Sequence, residues 1–338
     1  MLRYRIALIG LLGLTACAPV TAQAPQPTIM ASPSPSSTPL PSATAIPLPS
    51  ATLAATLTSL PAATAAPTVT PAPTGTPDTR LLPEQWQEWP VIPTLSAHAK
   101  ELYQAGLAQG NNLQAFSKIG DCQNINSHFL GAFDNPQLYK LGPTFEPLQE
   151  VIQQFKGMFS RESAAVRGGF NVAAVLSPLQ ADPVVCQSGE NPVTCELRLN
   201  RPSIVLISME TWWAKKPAQE YEKYMRQILD LVIAQKALPI LASKADNLEG
   251  DYSINATIAR LAYEYDIPLW NFWKAVQPLP GGGVSEDGFH LTHASDRPDD
   301  PLFYQRLSEP AAWTFGWPVR NVTALQALDS VWRAASQP

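Results

Sequence analysis

The chain has 338 residues, of which 15% are charged, with 23 Lys and Arg against 28 Asp and Glu for a formal charge of −5. That mild acidic balance, with no basic stripe, argues against nucleic acid as a partner. No apolar run is long enough to span a bilayer, and about 260 residues follow the N-terminal segments for one sizeable core.

Arg3 and Arg5 precede an apolar stretch over 6–14, too short to cross a membrane and typical of an export signal. Leu14-Thr15-Ala16-Cys17 follows directly and resembles a bacterial lipobox. That resemblance implies a signal peptide and lipobox over 1–17, lipidation of Cys17, and an extracytoplasmic protein anchored to a bacterial cell membrane. Stable anchoring needs more than one acyl chain. From Ala18 to Pro77 there is no charged residue, and Pro, Thr, Ser and Ala dominate. Such a segment cannot bury enough apolar surface to offset its chain entropy, which predicts a disordered stalk over 18–80. Its reach is roughly 190 Å as polyproline II or roughly 45 Å as a coil. The folded domain is expected over 81–338.

Within that domain, five segments read as strands: 113–119, a short one near 163–166, 203–208, 238–242 and 267–271. The third is a continuous apolar run, as expected for a strand covered on both faces. Helical spacing appears at Leu148, Val151, Ile152 and Phe155, at Tyr221, Tyr224, Met225, Ile228, Leu229, Leu231, Val232 and Ala234, and at Ile258, Leu261, Ala262 and Tyr265. A last helix is expected over 322–335. Strand and helix in alternation predict a parallel three-layer α/β sandwich. Its working site lies at the carboxyl ends of the strands.

Beyond Cys17 the cysteines are Cys122, Cys186 and Cys195. Cys186 and Cys195 flank a short polar loop and are the expected disulfide in an exported protein. Closing that loop contributes roughly 2–3 kcal/mol on the chain-entropy account. Cys122 is then the odd thiol; the alternative is a bond from Cys122 to Cys186 or Cys195.

Gly120-Asp121-Cys122 ends the first strand, and Asp287-Gly288-Phe289-His290 lies in a polar loop after the fifth. Nucleophile, base and base-orienter are the parts that acyl transfer requires. A thiol at a helix start facing a histidine is expected to have a lowered pKa. The two segments resemble the first and last sequence blocks of the SGNH/GDSL hydrolases, with cysteine where that family has serine. The resemblance covers roughly 112–295 and implies a five-stranded parallel, flavodoxin-like sheet. It makes Cys122 the nucleophile, His290 the base and Asp287 its orienter.

Arg167-Gly168-Gly169-Phe170-Asn171 resembles the family's second block and implies Gly169, with Gly168 next, as an oxyanion donor. The third block departs from the pattern: in Ser208-Met209-Glu210-Thr211-Trp212-Trp213, Glu210 stands for the family's glycine and Trp212 for its asparagine. Glu210, Trp212 and Trp213 are expected to line the pocket, with Lys244-Ala245-Asp246-Asn247 on the same rim, whereas Trp270 and Phe272 read as core. His293, Asp296, Asp299 and Asp300 match no strong ligand spacing, so neither metal nor cofactor is expected. The implied activity is that of a surface-tethered esterase or acylhydrolase acting on an acylated glycan or small ester. The alternative is a non-catalytic module of the same fold that binds glycan.

Overall fold

A computed structural model of the chain describes residues 80–210, 217–293 and 313–337, all within the compact unit Gly75–Pro338. The expectations for 1–79, including Cys17, and those for Trp212 and Trp213 lie outside the described residues.

The first helix, α1 (Ala97–Ala108), starts where the Ser96 hydroxyl accepts from Ala99 N at 3.1 Å. It leads into β1 (Asn112–Gly120). Two short helices follow, α2 (Gly142–Phe145) and α3 (Gln149–Gln154). The stretch around Pro192 is then helical, α4 (Pro192–Asn200). Pro192 occupies its first turn, where no N–H is needed, and Asn191 and Thr194 cap each other's backbone. Cys186 and Cys195 are disulfide-bonded across the start of this helix, and Cys122 is a free thiol.

After α4 come β2 (Pro202–Ser208), α5 (Ala218–Ala234), β3 (Leu238–Ala242), α6 (Ser253–Glu264), β4 (Leu269–Trp270), α7 (Phe272–Val276) and α8 (Gly316–Ser336). The strands form one parallel sheet in the order β1-β2-β3-β4. Alternate residues of β2 feed two cores. Ile204 and Leu206 pack with α1, α3 and α8, while Val205 and Ile207 pack with α4, α5 and α6. Helices therefore cover both faces, and β2 is buried along its whole length. No helix among the described residues is long and apolar enough to cross a membrane.

The sheet has four strands rather than five. The 163–166 segment contributes only an isolated parallel bridge, Gly120 to Val166, on the outer edge of β1. Its backbone is engaged elsewhere: Ala164 N donates to Glu196 Oε2 (2.9 Å), Ala165 N to the Ser163 hydroxyl (3.1 Å), and Val166 N to Ser163 O (3.1 Å). A strand cannot ladder when side chains and turns already take its donors. The expected strand over 267–271 shrinks to Leu269–Trp270 because Asn271 N turns away to donate to Val91 O at 3.1 Å. The last helix begins earlier than 322. At Gly316 the absence of a side chain lets α8 start against Gly283, whose carbonyl oxygen would lie 2.3 Å from a Cβ there.

Candidate active site

The turn after β1 is built from short-range hydrogen bonds that reach across to β2. Asp121 is fully buried and caps the 3-10 turn Cys122–Asn124. Its Oδ1 accepts from Gln123 N (3.0 Å) and its Oδ2 from Glu210 N (2.8 Å). Asn124 Nδ2 donates to Ser208 O at 2.8 Å. Gly120 is required for space and not for a left-handed backbone: a Cβ there would lie 2.0 Å from Asn124 Nδ2. The thiol is thus stapled to the carboxyl ends of two adjacent strands.

The structure brings Cys122, His290 and Asp287 into one line. Cys122 Sγ lies 3.6 Å from His290 Nε2, and His290 Nδ1 lies 2.5 Å from Asp287 Oδ2. An ionised carboxylate can only accept, so Nδ1 carries the proton and Nε2 presents its lone pair to the thiol. Asp287 is held well below the usual carboxylate range, first by the bond from His290 and then by Phe289 N, with Ser285 Oγ and His290 N also donating to it. Behind the thiol, His128 Nε2 donates to Cys122 O (3.0 Å) while Nδ1 accepts from Ser127 Oγ (2.9 Å). Burial lowers the pKa of His128, which packs edge-on against Trp317. These groups face an open hollow of about 730 Å³, walled also by Ile125, Leu291 and Phe315. A smaller apolar hollow of about 240 Å³, at the amino end of β4 between Trp89 and Tyr263, shares no lining residue with it.

The electrostatics reverse one expectation. The Cys122 thiol is pushed up to about 12 by burial, then by the Asp121 and Glu210 carboxylates, and the N–H groups of Cys122 and Gln123 only partly oppose this. No Lys or Arg lines the hollow among the described residues. The thiol therefore rests protonated, 3.6 Å from His290 Nε2.

Glu210 does not line the hollow. It is 1% exposed and turns inward, with Oε1 2.6 Å from Arg320 Nη1 of α8 and accepting from Ser208 Oγ at 2.7 Å. Arg320 Nη2 donates to Ser208 Oγ at 2.8 Å, and the guanidinium sits over Phe129 and Phe272, 4.7 and 5.0 Å from their centroids. Burial raises the Glu210 carboxyl to about 7, and the Arg320 guanidinium only partly opposes this. Lys244 and Asp246 are likewise buried, ion-paired at 2.6 Å, and away from the hollow.

Gly169 is the third residue of a turn closed by Phe170 N donating to Arg167 O at 3.1 Å, with φ of 85°, a position that favours glycine. It is not among the residues around the hollow. Trp270 and Phe272 are core, beside Arg320. His293 borders the hollow, while Asp296, Asp299 and Asp300 lie outside the described residues. Cys186, Cys195 and Glu190 cluster closely enough to suggest a metal site, but both sulfurs are used in the disulfide.

Sequence reading missed Gln123, Asn124, His128 and Arg320. None of them carries a local signal: Arg320 precedes the helix expected over 322–335, and its burial exists only in the folded chain. No protein-family model matches the chain, and no curated protein matches it.

Two outcomes are expected. Arg320→Met strips the buried Glu210 carboxyl of its partner, so that it must take up a proton or stay charged and unpaired, and lowers unfolding stability at neutral pH by about 3–5 kcal/mol, whereas Glu210→Met/Arg320→Met recovers most of that loss; denaturant titration of the three proteins checks it, and equal stability of Arg320→Met and wild type contradicts it. Because the folded state raises the thiol pKa, protonated thiol persists as pH rises. Alkylation of Cys122 should keep accelerating beyond about pH 9, where an unperturbed cysteine is already levelling off. A plateau near neutral pH contradicts this.

Proposed function

We propose that the chain is an ester hydrolase that works through a Cys122-His290-Asp287 relay, on a domain of SGNH-hydrolase type. The observation that carries this reading is the alignment of Sγ, Nε2, Nδ1 and Oδ2 at the edge of an accessible hollow. His290 Nε2 takes the thiol proton as Sγ attacks the ester carbonyl. Asp287 stabilises the resulting imidazolium and keeps its orientation. The N–H of Cys122, at the open start of its 3-10 turn, is a donor for the oxyanion. The tetrahedral adduct collapses as the imidazolium returns the proton to the departing alkoxide, giving an alcohol and an S-acyl cysteine. Water, deprotonated by the same imidazole, then attacks the thioester and releases the carboxylic acid and the free thiol.

The hollow has Glu286 and Asp287 on its wall and no cationic side chain among the described residues, which favours uncharged esters over anionic ones. A short acyl group on a sugar or small alcohol fits that chemistry. The lipobox-like Cys17 and the Pro-rich segment support a tethered protein acting outside the cytoplasm. The Trp212-Trp213 pair and the loss of the family's third-block asparagine favour a second reading, a glycan-binding module of the same fold whose chemistry has weakened.

Full-length protein assayed with p-nitrophenyl acetate and an O-acetylated sugar should show turnover that Cys122→Ala abolishes and His290→Ala lowers about 10²–10⁴-fold. Cys122→Ser should keep measurable activity, because a protonated nucleophile served by a base is the situation of a serine. Saturable glycan binding without Cys122-dependent turnover contradicts the esterase and favours the binding module.

A further inference from the structure

The loop that carries the base, residues 285–290, is held largely by its own atoms. Ser285 Oγ, Phe289 N and His290 N all donate to Asp287 Oδ1, Ser285 N donates to His290 O, and Gly288 N donates to Ser285 O. The side chains of His290 and Asp287 are 52% and 50% exposed, so packing does little to fix them. Among the described residues, two polar contacts join this loop to another part of the chain. One is the Sγ to Nε2 approach itself. The other is Gln123 Nε2, which donates to Phe289 O at 3.2 Å.

Gln123 follows the nucleophile directly and is fully buried. Its own N–H is held by Asp121 Oδ1, so its backbone is fixed by the same carboxylate that grips the end of β2. A buried amide on a fixed backbone is a rigid strut, and the carbonyl it holds belongs to the residue immediately before the base. We propose that Gln123 is a positioning residue of the relay, its side-chain amide fastening the Asp287–His290 loop to the cysteine turn and setting the reach from sulfur to imidazole. This rests on the reading of Cys122 and His290 as a reacting pair. Misplacing reacting groups by about 1 Å costs on the order of 100-fold in rate.

Two substitutions separate the strut from mere filling of space. Gln123→Met keeps the length and volume and removes the donor. Gln123→Glu donates to Phe289 O only while its carboxyl is protonated; once ionised, it faces that carbonyl and the Asp121 and Glu210 carboxylates, with Arg320 already committed to Glu210. The Glu variant should therefore behave like wild type at acid pH and like the Met variant as pH rises through its own titration.

The test is the rate of Cys122 alkylation by iodoacetamide across pH in the full-length protein, read by peptide mass spectrometry. The imidazole-assisted component is the excess of wild type over His290→Ala. Gln123→Met should lose about tenfold or more of that component, and Gln123→Glu should lose it only on the alkaline side. The within-protein reversal in the Glu variant keeps the test valid even if the Met variant is less stable. A Met variant with the full component, or a Glu variant that tracks wild type at every pH, overturns the role of Gln123. Equal rates in wild type and His290→Ala overturn the relay reading itself.

Discussion

Two carboxylates sealed from water at the ends of adjacent strands set the terms for everything above them. Asp121 and Glu210 are both essentially unexposed, and a buried charge is tolerated only when it is paired and hydrogen-bonded. The guanidinium of Arg320, delivered from the C-terminal helix into a ring of aromatic side chains, meets that requirement for Glu210. Backbone N–H groups of Gln123 and Glu210 meet it for Asp121. The cysteine turn, the end of β2 and α8 are thereby joined in one unit, and the thiol's position follows from it.

The same charges decide how the thiol can work. Reactive cysteines of the thiolate kind sit in electropositive surroundings. Here burial first, and then the Asp121 and Glu210 carboxylates, raise the thiol's proton affinity, and the buried Arg320 is paired with Glu210, so the sulfur rests protonated beside an imidazole. In the proposed relay such a sulfur works as a hydroxyl nucleophile would, with proton removal concerted with attack. It also explains why the site can keep a carboxylate at position 210: Glu210 points into the protein and is matched there, and its effect on the surface is felt through the thiol's proton affinity.

Much of the scaffold was legible in the chain because the signals were local. The apolar run of β2 and the helical spacing of α5 each reflect one element's burial, and both are found where the pattern puts them. The 163–166 segment misled because what removes it from the sheet is Glu196, far along the chain, which takes a donor that pairing would need. Cys122, Asp287 and His290 were found from motif order and resemblance, and the coordinates bring them together. The thiol's proton affinity could not be read the same way, because it is set first by burial, which exists only in the folded chain. Gln123 and Asn124 carry no signature at all: an amide becomes a strut only when a particular carbonyl is placed opposite it.

In the proposed relay, acyl groups pass through sulfur under the control of the imidazole. Mass spectrometry of full-length protein after brief exposure to p-nitrophenyl acetate reads this at the residue. An acetyl thioester on Cys122 that forms and then decays in wild type, and that fails to form in His290→Ala, is the predicted result. No acylation of Cys122, or acylation that proceeds equally without His290, contradicts it.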